Sequence, residues 1–202
     1  LRISDLYACR NVRRLAELLG QAPTAEPVTQ GPRLAPAPRL PRYPLSPMQQ
    51  GIYVQSHIDP TQLAYHMPGA FVLESAPDAA RLQAAFRALI AGDPVLRTSF
   101  VQDPDGVFAY VSDSVSFALP VLEADSFGAA CAAFLRPFDL SRAPLLRAAL
   151  WEDPDGRWVL LLDVHHIIGD GLSTPLLMRR LDTLFQGARA EARPLSYLDY
   201  AY

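Results

Sequence analysis

The chain of 202 residues contains no lysine, so all 18 of its basic residues are arginine. They are scattered rather than clustered. With a net charge of −3 and a pI near 5.8, the sequence has no basic face suited to nucleic acid. The missing lysine reads as codon bias toward GC-rich DNA and carries no mechanism. Cysteine is almost as scarce. Cys9 and Cys131 are far apart and stand at no metal-type spacing from any histidine, which excludes a multi-bridge disulfide framework and makes a reducing, cytoplasmic compartment the expectation. No apolar run approaches the roughly 20 residues that span a bilayer, so a soluble protein without membrane contact is expected. The first residue is Leu1, and no basic and apolar leader follows it. The chain therefore reads as an excised piece of something longer rather than a secreted precursor. Only 19% of residues are charged while 50% are hydrophobic, enough for a sizeable core.

What the chain does have is a dense cluster of chemistry late in its length, Val164-His165-His166-Ile167-Ile168-Gly169-Asp170-Gly171. It follows the β-forming run Trp158 to Leu162, and adjacent residues on a strand point to opposite faces. One imidazole is then expected in the core with a hydrogen-bond partner and the other at a cleft. Asp170 and Gly171 make the turn.

Upstream, the order of elements alternates. Residues 1–20 hold an amphipathic helix with Asn11 as N-cap, Leu15, Leu18 and Leu19 on one face, and Gly20 as its stop. Residues 21–44 carry seven of the 19 prolines and read as an extended linker. Ser46-Pro47-x-Gln49 is a capping-box start. Tyr65 to Glu74 reads as a strand, and Asp78 to Ala91 as a helix burying Leu82, Ala85, Phe86, Leu89 and Ile90. Another strand is expected from Val95 to Phe100. Asp103-Pro104-Asp105-Gly106 and Asp153-Pro154-Asp155-Gly156 mark two hairpins. Between them lie a helix over 126–135 and a strand from Pro144, and a last long helix runs from Ser173 to Gln186.

These landmarks resemble a known family. His165-His166-x-x-x-Asp170-Gly171, the lead-in Leu45-Ser46-x-x-Gln49, Leu96-Arg97-Thr98-x-Phe100, Pro137-Phe138-Asp139-Leu140 and the closing Tyr197-Leu198-Asp199-Tyr200 are similar to the ordered motifs of condensation domains of nonribosomal peptide synthetases. The match departs at Gly92-Asp93-Pro94, where the family often has Arg-His-Glu. Residues 1–20 resemble the closing helices of a peptidyl carrier protein.

The resemblance implies three segments: a carrier-protein fragment over 1–20, a Pro-rich linker over 21–42, and the N-terminal lobe of a condensation domain over 43–202, whose C-terminal lobe is absent. It implies an α/β sandwich lobe of the chloramphenicol acetyltransferase type, with a mostly parallel or mixed sheet covered by helices. The implied reaction joins a donor acyl or peptidyl thioester to the amine of an acceptor aminoacyl group. Both are presented on phosphopantetheine arms of upstream and downstream carrier proteins, with no metal and no directly bound cofactor. His166 would be the base or the group that orients the amine, with His165 supporting it. Asp170 would hold the loop through an arginine, Arg97 or Arg147 within this lobe or one from the other lobe, and Gly171 would admit substrate to the backbone. His57 and His66, lacking partners at useful spacing, are expected to be structural. An epimerisation domain and a non-catalytic recruitment domain are the rival readings.

Overall fold

The computed structural model describes residues 7–9, 11–21, 34–189 and 195–202. The chain divides into two compact units, 1–34 and 35–202. In the first, α1 (Val12–Gln21) is capped as expected, Asn11 Oδ1 accepting from Arg14 N at 3.0 Å. It runs through Gly20 rather than stopping there, because that residue keeps helical backbone and the turn continues to Gln21. Val12 and Leu19 lie exposed along it. The carrier-like residues Ile3 to Leu6 and linker residues 22–33 fall outside the described residues.

The second unit opens with residues that pack onto it before its first strand. Asp199 accepts from the amide of Ala37 at 2.7 Å, and Tyr43 OH bridges Leu40 N and Pro38 O. After β1 (Tyr43–Pro44), the capping box of Ser46 and Gln49 starts α2 (Pro47–Ile58). β2 (His66–Val72) follows, then α3 (Ala79–Ala91), N-capped by Asp78 and burying the five predicted apolar residues. The strand expected from Val95 begins later. Asp93 caps the amide of Val95 and Pro94 takes the first position, so Pro94–Arg97 closes into a 3-10 turn and β3 (Thr98–Asp103) starts after it. β4 (Gly106–Val111), β5 (Val121–Leu122), α4 (Phe127–Phe134), β6 (Leu146–Glu152), β7 (Trp158–His165), α5 (Ser173–Phe185) and α6 (Tyr197–Ala201) complete the order.

Two sheets form among the described residues, one in the order β1-β4-β3 and one in the order β2-β7-β6-β5. Only β5 and β6 pair in parallel; the larger sheet is thus mixed, with antiparallel pairing dominant. Both Asp-Pro-Asp-Gly tetrapeptides make the predicted hairpins, and each needs its glycine, at φ 135° for Gly106 and 81° for Gly156. Central strand β7 is covered on both faces. Leu160, Leu162 and Val164 enter the main core, while Val159 and Leu161 pack with Trp151, Ala130 and Phe134 beneath α4. On that second face the apolar cover gives way to Asp163 and His165, which share it by the two-residue period.

This backbone reading makes an opposite-sign prediction for two glycines. Gly156→Ala is expected to cost about 1 kcal/mol because an L side chain is strained at its φ. Gly51→Ala, in the interior of α2 with open space where a Cβ would stand, is expected to gain ~0.5–1 kcal/mol. The urea midpoints should move in opposite directions at unchanged m-value.

Candidate active site

The polar end of β7 is built by cross-strand register. His66 on β2 lies opposite His165, and Arg147 on β6 lies opposite Asp163, so four polar side chains meet on one face of the sheet. Asp163 is fully buried, and an isolated carboxylate there would be costly. It is compensated by His66 Nδ1 at 2.8 Å and Arg147 Nε at 3.5 Å. Phe138 stacks against the His66 ring at 5.0 Å and lies under the Arg147 guanidinium at 3.6 Å. Burial pulls Arg147 down to about 10, even though Asp163 opposes the shift. His66 therefore has a partner, contrary to its expected isolation. It is 97 positions away, and the cue in the sequence was a lone aspartate inside the apolar run Leu160-Leu161-Leu162-Asp163-Val164.

The strand ends between the two histidines, which separates them more sharply than alternation alone. His165 is buried as the last residue of β7, and its Nδ1 accepts from Ile167 N at 3.2 Å. That acceptance requires a neutral ring with its proton on Nε2. Burial, followed by electrostatic interaction with His66, His166 and Arg147, pushes His165 down to about 4. His166 opens the 3-10 turn His166–Ile168 with its amide on Tyr65 O at 2.8 Å, and its side chain is exposed. Its ring makes no hydrogen bond among the described residues. A further hold on this turn went unpredicted: Gln49 Nε2 donates to Ile167 O at 3.0 Å while the same side chain closes the capping box of α2. The turn is thus pinned by Tyr65, by His165 and by Gln49.

Asp170 departs from expectation. Neither Arg97 nor Arg147 meets it, and no arginine pairs with it among the described residues. Arg147 is committed to Asp163, and Arg97 donates to the carbonyl of Ser112. Asp170 is exposed and folds onto its own loop. Its Oδ1 accepts from Ser173 Oγ at 2.7 Å, Ser173 N at 2.9 Å and Leu172 N at 3.1 Å. Those bonds, the Ser173 hydroxyl foremost, hold its carboxyl below the usual carboxylate range. Within this lobe solvent and local donors satisfy it, with His166 the one charged neighbour acting on it. Gly171 is exposed, has no unusual φ and has nothing within 4 Å of a notional Cβ, so space beside the loop is open. Among the described residues no group of three or more His, Cys, Asp and Glu side chains could hold a metal ion, and no helix is long and apolar enough to cross a membrane.

Two stability predictions follow from these partners. Asp163→Ala leaves Arg147 buried without its counter-charge and is expected to cost ~3–5 kcal/mol, whereas Asp170→Ala removes a loop cap and is expected to cost about 1 kcal/mol. Urea unfolding at neutral pH separates the two. His165 gives the pH dependence. Its folded pKa lies below the unfolded value of 6.5, so the unfolded state binds protons first as pH falls. The stability it contributes is present above 6.5 and is lost on the way down to about 4. Lowering the pH from about 7.5 to about 5.5 should cost ~1 kcal/mol through this residue, and His165→Gln should flatten that dependence in the same unfolding experiment.

A family model of the condensation domain matches residues 41–202. A plipastatin synthase of Bacillus subtilis (strain 168) is 37% identical over 202 residues, covering 98% of this chain and 8% of that protein. Surfactin synthase subunit 1 of the same organism is 37% identical over 170 residues, covering 83% of this chain and 5% of its own length. Among solved structures, the X-domain in complex with OxyB from teicoplanin biosynthesis superposes with a TM-score of 0.75 at 28% identity, covering 86% of this chain and 40% of that one. The starter condensation domain of rhizomide synthetase RzmA gives 0.68 at 26% identity, covering 79% and 42%. The chain thus spans a small part of the synthetases and less than half of each solved domain. With the histidine turn on the last strand of a mixed sheet and the family match running across nearly all of the second unit, this chain belongs to the condensation-domain family.

Proposed function

We propose that residues 41–202 supply the histidine-bearing lobe of an amide-forming condensation domain in a nonribosomal peptide synthetase. The observation that carries the reading is the exposed imidazole of His166 on a turn pinned at three points beside the buried, neutral His165. An imidazole so placed can take a proton from, or orient, an attacking amine, for about 10²- to 10⁴-fold in rate. The His166 ring makes no hydrogen bond among the described residues, and Asp170 acts on it only through its charge, which leaves its nitrogens available to substrate. The donor thioester and the acceptor amine would arrive on phosphopantetheine arms of carrier proteins. Holding both in one site makes their encounter effectively intramolecular, worth on the order of 7–11 kcal/mol. Similarity to the plipastatin synthase over 98% of the chain extends upstream of the family match, which supports reading residues 1–20 as part of a preceding carrier protein.

Asp170 in this reading shapes the loop through Ser173 rather than through an ion pair, and Gly171 leaves the approach open. The likeness to the X-domain bound to OxyB favours a second reading, in which the lobe recruits a protein partner and performs no chemistry.

Because this chain spans 42% of the solved starter condensation domain, the proposal assigns the opposite wall of the substrate channel to the remainder of that domain. The test supplies acyl-loaded donor carrier and aminoacyl-loaded acceptor carrier, and follows amide formation by mass spectrometry. Activity is expected from the chain joined to that remainder and not from the 202 residues alone. His166→Ala is expected to lower it at least ~100-fold without moving the unfolding midpoint, since the side chain is exposed. Unchanged turnover in that variant would favour recruitment.

A further inference from the structure

His66 faces His165 across the β2–β7 pair, with the two ring centroids 5.9 Å apart and edge to face. Asp163 stands two residues before His165 on the same face, and its Oδ2 receives His66 Nδ1 at 2.8 Å. A carboxylate can only accept, so His66 donates. The Asp163 site is not over-supplied with donors. Oδ1 of Asp163 and Nη1 of Arg147 are buried without hydrogen-bond partners, and the Arg147–Asp163 contact is a long 3.5 Å. Without the N–H of His66, this buried carboxylate would have Arg147 alone among the described side chains, and the titratable group that shares its face of β7 is His165, two residues on. A proton moved onto His165 Nδ1 would displace the Ile167 amide from the acceptor it now uses.

We propose that His66 is a positioning residue for the histidine turn: by satisfying Asp163 it keeps His165 Nδ1 an acceptor for Ile167 N–H, and so holds the turn that carries His166. The groups around His165 are His66 from β2, Tyr65 just before it, Arg147 from β6 and His166 beside it, with Asp163 two residues back on the same face of its own strand and Asp59 lining the same cleft. Burial disfavours a charged His165 first, and electrostatic interaction with His66, His166 and Arg147 adds to it. The positioning claim concerns the fold of this chain. Its effect on amide formation rests on the function proposed above.

The experiment reads the ring nitrogens of the four histidines by two-bond ¹H–¹⁵N correlation in the 202-residue protein. Native His165 should show an unprotonated Nδ1 at neutral pH and titrate near 4. In His66→Leu the Nδ1 should gain proton character at neutral pH, while His66→Asn, which keeps an N–H for Asp163 but like Leu removes the electrostatic contribution of His66, should keep Nδ1 unprotonated. In the amide-forming assay His66→Leu should lower kcat about tenfold with KM within about twofold, and His66→Asn should rescue it. If His66→Leu does not fold, His66→Met takes its place. A protonated Nδ1 in the native protein, or an Nδ1 still unprotonated in folded His66→Leu, overturns the proposal. A protonated Nδ1 in that variant with unaltered kcat, where His166→Ala is inactive, overturns its catalytic consequence alone. Absence of amide formation from the native domain overturns the proposed function and leaves the nitrogen spectra to decide the role of His66.

Discussion

A single buried carboxylate, Asp163, constrains the site end of this fold. It stands at zero exposure on a central strand, where an uncompensated charge would cost several kcal/mol. Its partners come from the strands on either side, His66 from β2 and Arg147 from β6, so it ties together three of the four strands in the sheet. A one-residue slip of either neighbour would swing the partner to the opposite face and bring Tyr65 or Met67 from β2, or Leu146 or Ala148 from β6, toward the carboxylate instead. The polar group therefore specifies register, while the apolar run before it supplies the burial. With register fixed, His66 falls opposite His165, and the strand terminates where Tyr65 takes the amide of His166.

From that constraint the division of labour between the two histidines follows. His165 is inside, neutral and spent on the backbone of Ile167; His166 is outside with its ring uncommitted. The scaffold beneath them is rigid for ordinary reasons: α4 covers the apolar half of one face, α3 and α5 cover the other, and the ion pair Arg180–Asp93 at 3.0 Å links α5 to the turn after α3. The proposed chemistry thus sits on one pinned loop over a packed support, a common placement for site residues.

Legibility in the sequence followed distance along the chain. The capping box of Ser46 and Gln49, the Asp78 cap, the five buried residues of α3 and both Asp-Pro-Asp-Gly hairpins were readable because each depends on neighbours within one turn. The histidine motif was readable by its spacing. Its supports were not, since His66 to Asp163 and Gln49 to Ile167 span 97 and 118 positions and obey a register that no local pattern announces. Gln49 shows the difference in one residue, its capping role being local and its grip on Ile167 tertiary. The two arginines of this lobe expected for Asp170 do not meet it for a related reason: motif spacing places the aspartate in a turn but does not say that the turn is exposed and that Ser173 bonds it. The late start of β3 came from Asp93 and Pro94 favouring a 3-10 turn over the strand propensity of Val95.

The central claim is that one exposed imidazole on a pinned turn carries the chemistry. It is tested most directly by carbethoxylating the native domain with diethylpyrocarbonate, mapping modification at each of the four histidines by peptide mass spectrometry, and measuring amide formation on the same samples. The account predicts that activity falls in step with modification of exposed His166, that exposed His57 is modified without consequence, and that buried His66 and His165 remain unmodified while the fold is intact. Full activity after His166 is modified, or a loss that tracks His57 instead, would contradict it.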